Sequence, residues 1–309
     1  MHDLIIIGGG AAALSSAVYA LGKRLDMLVI YEDLDGKAGT RQHISGQVVE
    51  EFLAGVEAIR SFERYVRIQA GHTLRDRVVE VSKTDGAFQV MTAHHGIYES
   101  LAVIVATGAT PLTLDVPGAR ELLGQGLGYS ATTHAHLLAG KTAAVIGTTV
   151  RALRGAVELA RMAAKVYLIA PDDDNLATPL AARLRERSNV EMLEGYTVRE
   201  IVGEISVEEL VIERAGQTVR LHVDAAFIDV GLSPNSEIVR ELVQTDSDGF
   251  IWVDDCNATS VPGLFAAGDV TTSFGEQIMI AIGEGARAAL SAYDYILAHA
   301  PVSEPLAIG

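Results

Sequence analysis

The chain has 309 residues, more than one average domain, so we expect two domains. With 49% hydrophobic and 21% charged residues, it has the composition of a packed globular protein, which excludes disordered and collagen-like classes. The net charge of −16 leaves no basic stripe of the strength that a nucleic-acid-binding protein needs. The single cysteine, Cys256, excludes a disulfide framework and is typical of a reducing compartment, so we expect a cytoplasmic protein.

The chain opens on an apolar strand at 4–7, a turn of three glycines, a helix at about 11–22 and a second strand at 28–31. Apolar strands around a helix indicate a parallel sheet that is buried on both faces. The uncharged stretch 4–22 is nearly long enough to span a membrane, but the glycines divide it where the pattern changes. We therefore predict no membrane segment, and no targeting segment, since no basic stretch precedes the first strand.

The next part of the chain predicts a helix near 50–67 and then an antiparallel meander. The short alternating runs of this meander lie at 78–82, 88–91 and 97–98. A buried strand at 101–106 ends in Thr107 and Gly108, and the turn-rich stretch 110–118, with its two prolines, is typical of a linker.

The opening pattern then repeats, as a strand at 142–146, a turn at Gly147, a helix at 150–163 and a strand at 166–169. A second meander is predicted through 207–214, 218–221 and 225–230. The last segment, 263–298, reads as a strand, a turn and a long helix that complete the first domain. The predicted fold class is therefore α/β, with two Rossmann-like three-layer domains, one at 1–112 and 244–309 and the other inserted at 113–243.

The first glycine turn, Gly8-Gly9-Gly10-Ala11-Ala12-Ala13, matches the pattern G-x-G-x-x-G/A between a strand and a helix. The first glycine allows the tight turn, the second lets a pyrophosphate approach the backbone, and the small residue at 13 lets the helix pack on the strand. The context favours dinucleotide binding over a purely structural turn.

An acid at the end of the second strand supports the same interpretation. This strand ends in Tyr31-Glu32-Asp33, about 20 residues on, where a carboxylate accepts hydrogen bonds from a ribose. The sequence leaves open whether Glu32 or Asp33 does so.

Four segments resemble the low-molecular-weight thioredoxin reductases, in the same order and nearly end to end. They are 8–19 (GGGAAALSSAVY), 106–108 (ATG), 260–269 (SVPGLFAAGD) and 277–289 (QIMIAIGEGARAA). In that family the first and last segments bind FAD, an inserted domain binds NADPH, and the protein is a homodimer. The resemblance therefore implies an FAD flavoprotein and a homodimer here.

The resemblance also assigns roles around the flavin. Asp269 is expected to hold the ribityl chain, the backbone N–H after it the flavin phosphate, and Gln277 and Ile278 to lie beside the pyrimidine ring. Glu276 stands where relatives often carry a basic residue, either near the flavin or facing solvent. Motif and resemblance together give the expected FAD residues as Gly8, Gly10, Ala11, Tyr31, Glu32, Gly39, Arg41, Val79, Ala106, Thr107, Gly108, Gly268, Asp269, Gln277 and Ile278.

The redox dithiol of the family is missing. Thioredoxin reductases carry Tyr-Cys-Ala-Thr-Cys-Asp where this chain has Tyr129-Ser130-Ala131-Thr132-Thr133-His134. Dithiol exchange needs one thiolate that attacks and another that resolves, and hydroxyls do neither. Cys256 lies outside the motif and is interpreted as a small loop residue rather than a redox thiol. The sequence thus predicts no disulfide reductase activity of the usual kind.

The second glycine turn has also changed. Thr149 stands where the close-approach glycine belongs, and a β-branched side chain there crowds a pyrophosphate. Relatives that use NADPH place basic residues after the next strand, whereas this chain has Asp172-Asp173-Asp174, which repel a 2′-phosphate. Asp172 could serve an NAD ribose, but Thr149 argues against that too. We therefore predict that neither NADPH nor NADH is used.

Three functions remain open. The first is a flavin oxidoreductase that exchanges electrons directly at FAD with a protein carrier such as ferredoxin or flavodoxin, a quinone, oxygen or a small organic substrate. The second is a non-catalytic FAD-binding module, and the third is an NAD(P)H-dependent flavin or ferredoxin reductase, which the second turn disfavours. In the first, His134, with His136 beside it, is the candidate proton donor over the flavin. Two imidazoles without a nearby acid or thiol predict no metal site.

Overall fold

The computed structural model describes residues 1–34, 36, 43–44, 47–48, 54–68, 72–84 and 86–300. The chain divides into two compact units, the first drawn from 1–39, 52–110 and 233–309 and the second from 40–51 and 111–232. The sequence predicts that the inserted domain begins at 113 and that the first domain resumes at 244. The structural division differs mainly in assigning 233–243 to the first unit and 40–51 to the second.

A seven-stranded sheet forms the centre of the first unit. Six strands lie side by side in the order Thr73–Arg75, Met27–Tyr31, His2–Ile7, Gly96–Val105, Ala87–Thr92 and Val78–Thr84. The seventh, Leu264–Ala266, runs parallel to the end of Gly96–Val105. Ile7 pairs with Ile30 on one side and Val105 on the other, so three parallel strands end together beside the first glycine turn.

Both faces of this sheet are buried. Leu4 and Ile6 contribute to a core shared with the helices Ala11–Gly22, Ala54–Ile68 and Ile278–His299. Ile5 and Ile7 contribute to a second core, which contains Phe88, Val239 and Ile251. This two-sided burial explains why the central strands are apolar without interruption. No helix in the described ranges has both the length and the apolar character needed to cross a membrane.

The second unit is built on a parallel sheet of five strands. Their order is Leu127–Gly128, Ala225–Ile228, Thr142–Ile146, Lys165–Ala170 and Val190–Glu194. The helices of this unit are Ala131–His134, Val150–Leu159 and Pro179–Arg185. An antiparallel sheet follows these helices in the chain, and its strands are Thr197–Val202, Glu209–Arg214 and Gln217–His222.

Short elements complete the fold. Two 3₁₀ turns lie at Ala135–Leu138 and Glu237–Val239. Two short pairings join Ala109–Pro111 to Leu232–Pro234 and His43–Ile44 to Gln47–Val48.

Two strand predictions need correction. The prediction that 225–230 continues the second meander is wrong, because Ala225–Ile228 pairs in parallel with Leu127–Gly128 and Thr142–Ile146. All four of its residues are buried, which is typical of a central parallel strand. The runs at 97–98 and 101–106 are one strand, Gly96–Val105, which pairs first with Ala87–Thr92 and then with Leu264–Ala266.

The first and last helices of the first unit approach each other closely. Ser15 Oγ donates to the carbonyl of Ile282 at 2.7 Å, and Ser16 Oγ donates to that of Gly285 at 2.8 Å. A Cβ at Gly285 would overlap the carbonyl oxygen of Ala12. Small residues in both helices are therefore required by backbone contact as well as by side-chain packing.

We expect Gly285→Ala to destabilise the first unit by about 1–3 kcal/mol, because the added methyl group overpacks the helix contact. Gly283 lies in the same helix with no atom within 4 Å of its Cβ position, so Gly283→Ala is the matched control. Since alanine is the better helix former, the control should stabilise by up to about 1 kcal/mol. Urea unfolding of the two variants measures both effects, and equal effects of the two would contradict the close contact.

Candidate functional site

The first glycine turn has no room for side chains on the side that faces the protein. Gly8 has a φ of +129°, and a Cβ there would overlap the carbonyl oxygen of Ala106. A Cβ at Gly9 would overlap the carbonyl oxygen of Asp33. Close backbone approach therefore fixes the turn between the ends of neighbouring strands.

Gly10 presents the opposite situation. Its φ of −85° suits any residue, yet no atom of the described residues lies within 4 Å of where its Cβ would stand. The helix Ala11–Gly22 begins next to it, with no side chain capping its N-terminus. The space beside Gly10 at this helix N-terminus thus holds no atom of the described residues, as a bound pyrophosphate requires. The residues present fit the phosphate part of a dinucleotide.

The two candidate ribose acids are exposed and differ in their partners. Asp33 Oδ1 lies 3.1 Å from Arg75 Nη2. Glu32 Oε1 is 3.7 Å from Arg77 Nε, a looser ion pair. Glu32 therefore has the looser pairing of the two, and its role as the ribose acceptor stays a prediction. Tyr31 is half-buried at the end of its strand.

The strand end at Ala106, Thr107 and Gly108 is fixed by a residue that the sequence did not identify, Asn235. Asn235 Nδ2 donates to the carbonyl of Thr107 at 3.0 Å, and Thr107 Oγ1 donates to the carbonyl of Asn235 at 2.6 Å. The backbone N–H of Asn235 donates to the carbonyl of Gly108. No local motif marks Asn235, because its partners lie more than a hundred residues away in sequence.

A second missed residue supports the turn at Gly268 and Asp269. Glu284 is buried, and its Oε2 accepts a hydrogen bond from the Gly268 N–H at 2.7 Å. Gly268 has a φ of +78°, and its Cβ position is 3.1 Å from that of Ala12. The signal in sequence is a single acid among small residues on a helix face that is otherwise apolar.

A cleft of about 200 Å³ lies beside this turn in the first unit. Its lining includes Asp246, Asp269, Thr271, Glu276, Ile280 and Glu284. Gln277 is the N-cap residue of the helix Ile278–His299, and no side chain caps that helix either. Gln277 and Glu276 are exposed, and Ile278 is half-buried.

The remaining expected flavin residues are Val79, Gly39 and Arg41. Val79 is 38% exposed in the strand Val78–Thr84. Gly39 and Arg41 lie outside the described residues, so their roles stay predictions.

The second glycine turn has a similar backbone conformation to the first, but it carries different side chains. Gly147 has a φ of +126°, and its Cβ would overlap the carbonyl oxygen of Asp229, much as Gly8 relates to Ala106. Thr149, however, caps the helix Val150–Leu159 by accepting from the Ala152 N–H at 3.0 Å. Its hydroxyl also lies 3.1 Å from Asp229 Oδ1.

A buried ion pair reinforces this second turn. Asp229 is 1% exposed, and its two oxygens lie 2.8 and 2.9 Å from Arg151 Nε. A buried carboxylate needs such partners, so the pair is costly to break. Together Thr149, Arg151 and Asp229 form a connected polar cluster at the second turn.

The acid of the second half is also engaged within the protein. Thr148 Oγ1 donates to Asp172 Oδ1, which also accepts from the backbone N–H of Asp174 at 3.2 Å. Asn175 Nδ2 donates to the carbonyl of Thr148 at 3.0 Å. Asp172, the candidate acid for an NAD ribose, thus already contacts the turn itself.

At the position of the family dithiol, two hydroxyls contact each other. Ser130 Oγ and Thr133 Oγ1 are 3.0 Å apart, within hydrogen-bond distance. Burial raises the pKa of the neighbouring Tyr129 phenol.

His134 is buried in the second unit, with 7% of its surface exposed. Its Nδ1 lies 3.0 Å from the carbonyl oxygen of Ser130, and its ring stacks on Phe227. Its role as a proton donor stays a prediction. Its burial disfavours that role, because a proton donor must reach the reacting group.

The other candidate nucleophile, Cys256, and the other candidate histidine, His136, are both exposed. The backbone N–H of Cys256 donates to Asp254 Oδ1 at 2.8 Å. Among the residues that the structure describes, no group of three His, Cys, Asp or Glu side chains is placed to hold a metal ion.

Comparison with known proteins decides the family. The family described as pyridine nucleotide-disulphide oxidoreductase matches residues 2–285. The chain belongs to this family. It is 32% identical over 300 residues to the alkyl hydroperoxide reductase F of Staphylococcus aureus, with 96% of this chain and 59% of that protein covered. The chain thus spans 59% of the length of that relative.

Solved structures of the family agree with the fold. The thioredoxin reductase of Streptococcus pyogenes aligns with a TM-score of 0.84 at 29% identity, over 96% of this chain and 99% of that one. The thioredoxin reductase of Giardia duodenalis gives 0.84 at 25% identity, with 96% and 99% covered. The α/β Rossmann-like fold and the thioredoxin reductase resemblance are confirmed. These oxidoreductases are FAD-binding flavoproteins, so the predicted cofactor is confirmed as well.

We expect Gly10→Ser to weaken FAD binding by about tenfold or more while leaving the apoprotein as stable as the parent. Serine is a good N-cap residue and the φ of Gly10 suits it, so only the open space for the pyrophosphate is lost. Flavin fluorescence titration of the apoprotein measures the affinity, and thermal unfolding measures the stability. An unchanged dissociation constant for FAD would remove the pyrophosphate from this turn.

Proposed function

We propose that this protein is an FAD-dependent oxidoreductase whose electrons enter and leave at the flavin itself, without a dithiol and without a nicotinamide nucleotide. Bound FAD supplies one- and two-electron redox chemistry. The chain's own residues bind and orient it: the open turn at Gly10 receives the pyrophosphate, Glu32 the ribose, and the turn at Asp269 the flavin end. The family and the cofactor support the oxidoreductase class.

The observation that carries the proposal is the hydrogen bond between Ser130 and Thr133. These hydroxyls occupy the two positions of the dithiol and lie 3.0 Å apart. A hydroxyl pair forms no disulfide and offers no thiolate, so the exchange chemistry of thioredoxin reductases has no reacting atoms here. The exposed Cys256 is a single thiol outside this motif and lacks a resolving partner within the chain.

The exclusion of nicotinamide nucleotides rests on the second turn. A pyrophosphate there would have to displace the Thr149 cap, and the 2.8 Å contact of Arg151 with Asp229 shows that the neighbouring charges are already paired. The acids at 172–174 remain unsuited to a 2′-phosphate. These contacts disfavour an NAD(P)H-dependent flavin or ferredoxin reductase.

The electron partner is proposed by class only. A small or protein carrier other than a nicotinamide, such as a ferredoxin, a flavodoxin or a quinone, would reduce or oxidise the flavin directly. A homodimer is proposed from the resemblance to thioredoxin reductases. The name of the Staphylococcus aureus relative refers to alkyl hydroperoxides. This chain covers only 59% of that protein, so the name does not assign a hydroperoxide-linked activity to it. Turnover with any donor and acceptor separates this function from a non-catalytic FAD module.

Anaerobic titration of the FAD-loaded protein with NADPH and then NADH tests the proposal. We expect the yellow flavin band to persist with both nucleotides and to bleach with dithionite, because the Thr149 side chain caps the helix N-terminus at the second turn. Reoxidation of the bleached protein by a quinone should then restore the band. Rapid bleaching by either nucleotide would contradict the proposal and favour the flavin reductase, and a colourless protein that takes up no FAD would end it.

A further inference from the structure

A buried carboxylate lies next to the end of the strand that carries the ribose acids. The side chain of Asp76 is fully buried directly after the strand Thr73–Arg75. Its Oδ1 accepts from the Arg77 N–H at 2.7 Å and lies 2.8 Å from His94 Nδ1. Its Oδ2 accepts from the N–H groups of His94 and His95 at 3.1 and 3.0 Å and lies 2.7 Å from His95 Nδ1.

The donors around this carboxylate favour its charged form. Burial by itself raises the pKa of Asp76, but the hydrogen bonds from His94, His95 and the backbone N–H groups outweigh it and hold the pKa far below its ordinary value. A buried charge with five donors is a rigid anchor, because removing any donor leaves it less compensated.

The anchor connects two parts of the first unit that are distant in sequence. His94 and His95 form the turn between the strands Ala87–Thr92 and Gly96–Val105, and their rings are 77% and 51% exposed. Since these rings bury little apolar surface, the connection between the turn and Asp76 is mainly polar. The turn therefore fixes where Asp76 stands.

Asp76 in turn fixes the strand end. Its backbone N–H donates to the carbonyl of Tyr31 at 2.9 Å. On one side Arg75 Nε donates to the carbonyl of Glu32 at 2.9 Å. On the other side Arg77 Nε lies 3.7 Å from the Glu32 carboxylate. Three consecutive residues, with Asp76 in the middle, thus contact Tyr31 and Glu32.

We propose that Asp76, fixed by His94 and His95, is a positioning residue that places Glu32 for its contact with the FAD ribose and thereby sets the affinity for FAD. The inference rests on the assignment of FAD to the first glycine turn. The Asp76 side chain is buried away from Glu32, so Asp76 acts through its N–H contact with the Tyr31 carbonyl and through the Arg75–Glu32 and Arg77–Glu32 contacts.

A double-mutant cycle on FAD affinity tests this inference. The apoproteins of Asp76→Asn, Glu32→Gln and the double variant are titrated with FAD, and the dissociation constants are compared with that of the parent. Each single variant should weaken binding about tenfold, and the double variant should be no weaker than the weaker single variant. Effects that multiply in the double variant would show that Asp76 acts independently of Glu32 and would overturn the proposal.

Two further variants keep the test decisive. His95→Gln removes one donor and leaves the buried aspartate, so it should weaken FAD binding about two- to threefold and serves in the same cycle if Asp76→Asn does not fold. His222→Gln is the matched control, because His222 is also an exposed histidine next to a carboxylate, 3.2 Å from Glu209, but lies in the second unit. It should leave FAD affinity unchanged.

The outcomes separate this inference from the proposed function. If Glu32→Gln binds FAD as tightly as the parent, the positioning role is overturned, while direct electron exchange at the flavin stands. If the parent itself takes up no FAD, the proposed function fails and the inference fails with it.

Discussion

Backbone contact without intervening side chains fixes the start of the helix Ala11–Gly22, and the nucleotide site depends on it. The carbonyl of Ala106 occupies the space of a Cβ at Gly8, and the carbonyl of Asp33 that of a Cβ at Gly9. The carbonyl of Ala12 lies against Gly285 in the same way. These contacts join the turn to two strand ends and to the last helix, so close backbone packing sets the position of the turn at Gly10.

The two glycine turns differ at the residue just before the helix, which is Gly10 in the first turn and Thr149 in the second. Gly8 and Gly147 have nearly the same φ and touch a strand-end carbonyl in the same manner. The difference arises two residues later, where Gly10 leaves the helix N-terminus open and Thr149 caps it. A threonine cap stabilises a helix by about 1 kcal/mol, and the Arg151–Asp229 pair lies beside it. The second turn thus uses its helix N-terminus for contacts within the protein.

Local patterns in the sequence were sufficient for the glycine turns, the alternation of strands and helices, and the loss of the dithiol. Each of these depends on residues that are close in sequence, such as Gly8 and Gly10 or Ser130 and Thr133. Asn235, Glu284 and Asp76 were not identified, because their function depends on partners brought near by the fold. Thr107 is 128 residues from Asn235, and the turn at His94 is 18 residues from Asp76. The strand Ala225–Ile228 was misplaced for a similar reason, since short apolar runs do not reveal which strands they pair with.

We propose that one of these two similar turns holds a dinucleotide and that side chains of the protein close the other. The most direct measurement is the number of dinucleotides bound per chain, by equilibrium dialysis of the purified protein against FAD and a large excess of NADH or NADPH. We expect one dinucleotide per chain, and we expect it to be FAD. A second dinucleotide bound at saturation would contradict it.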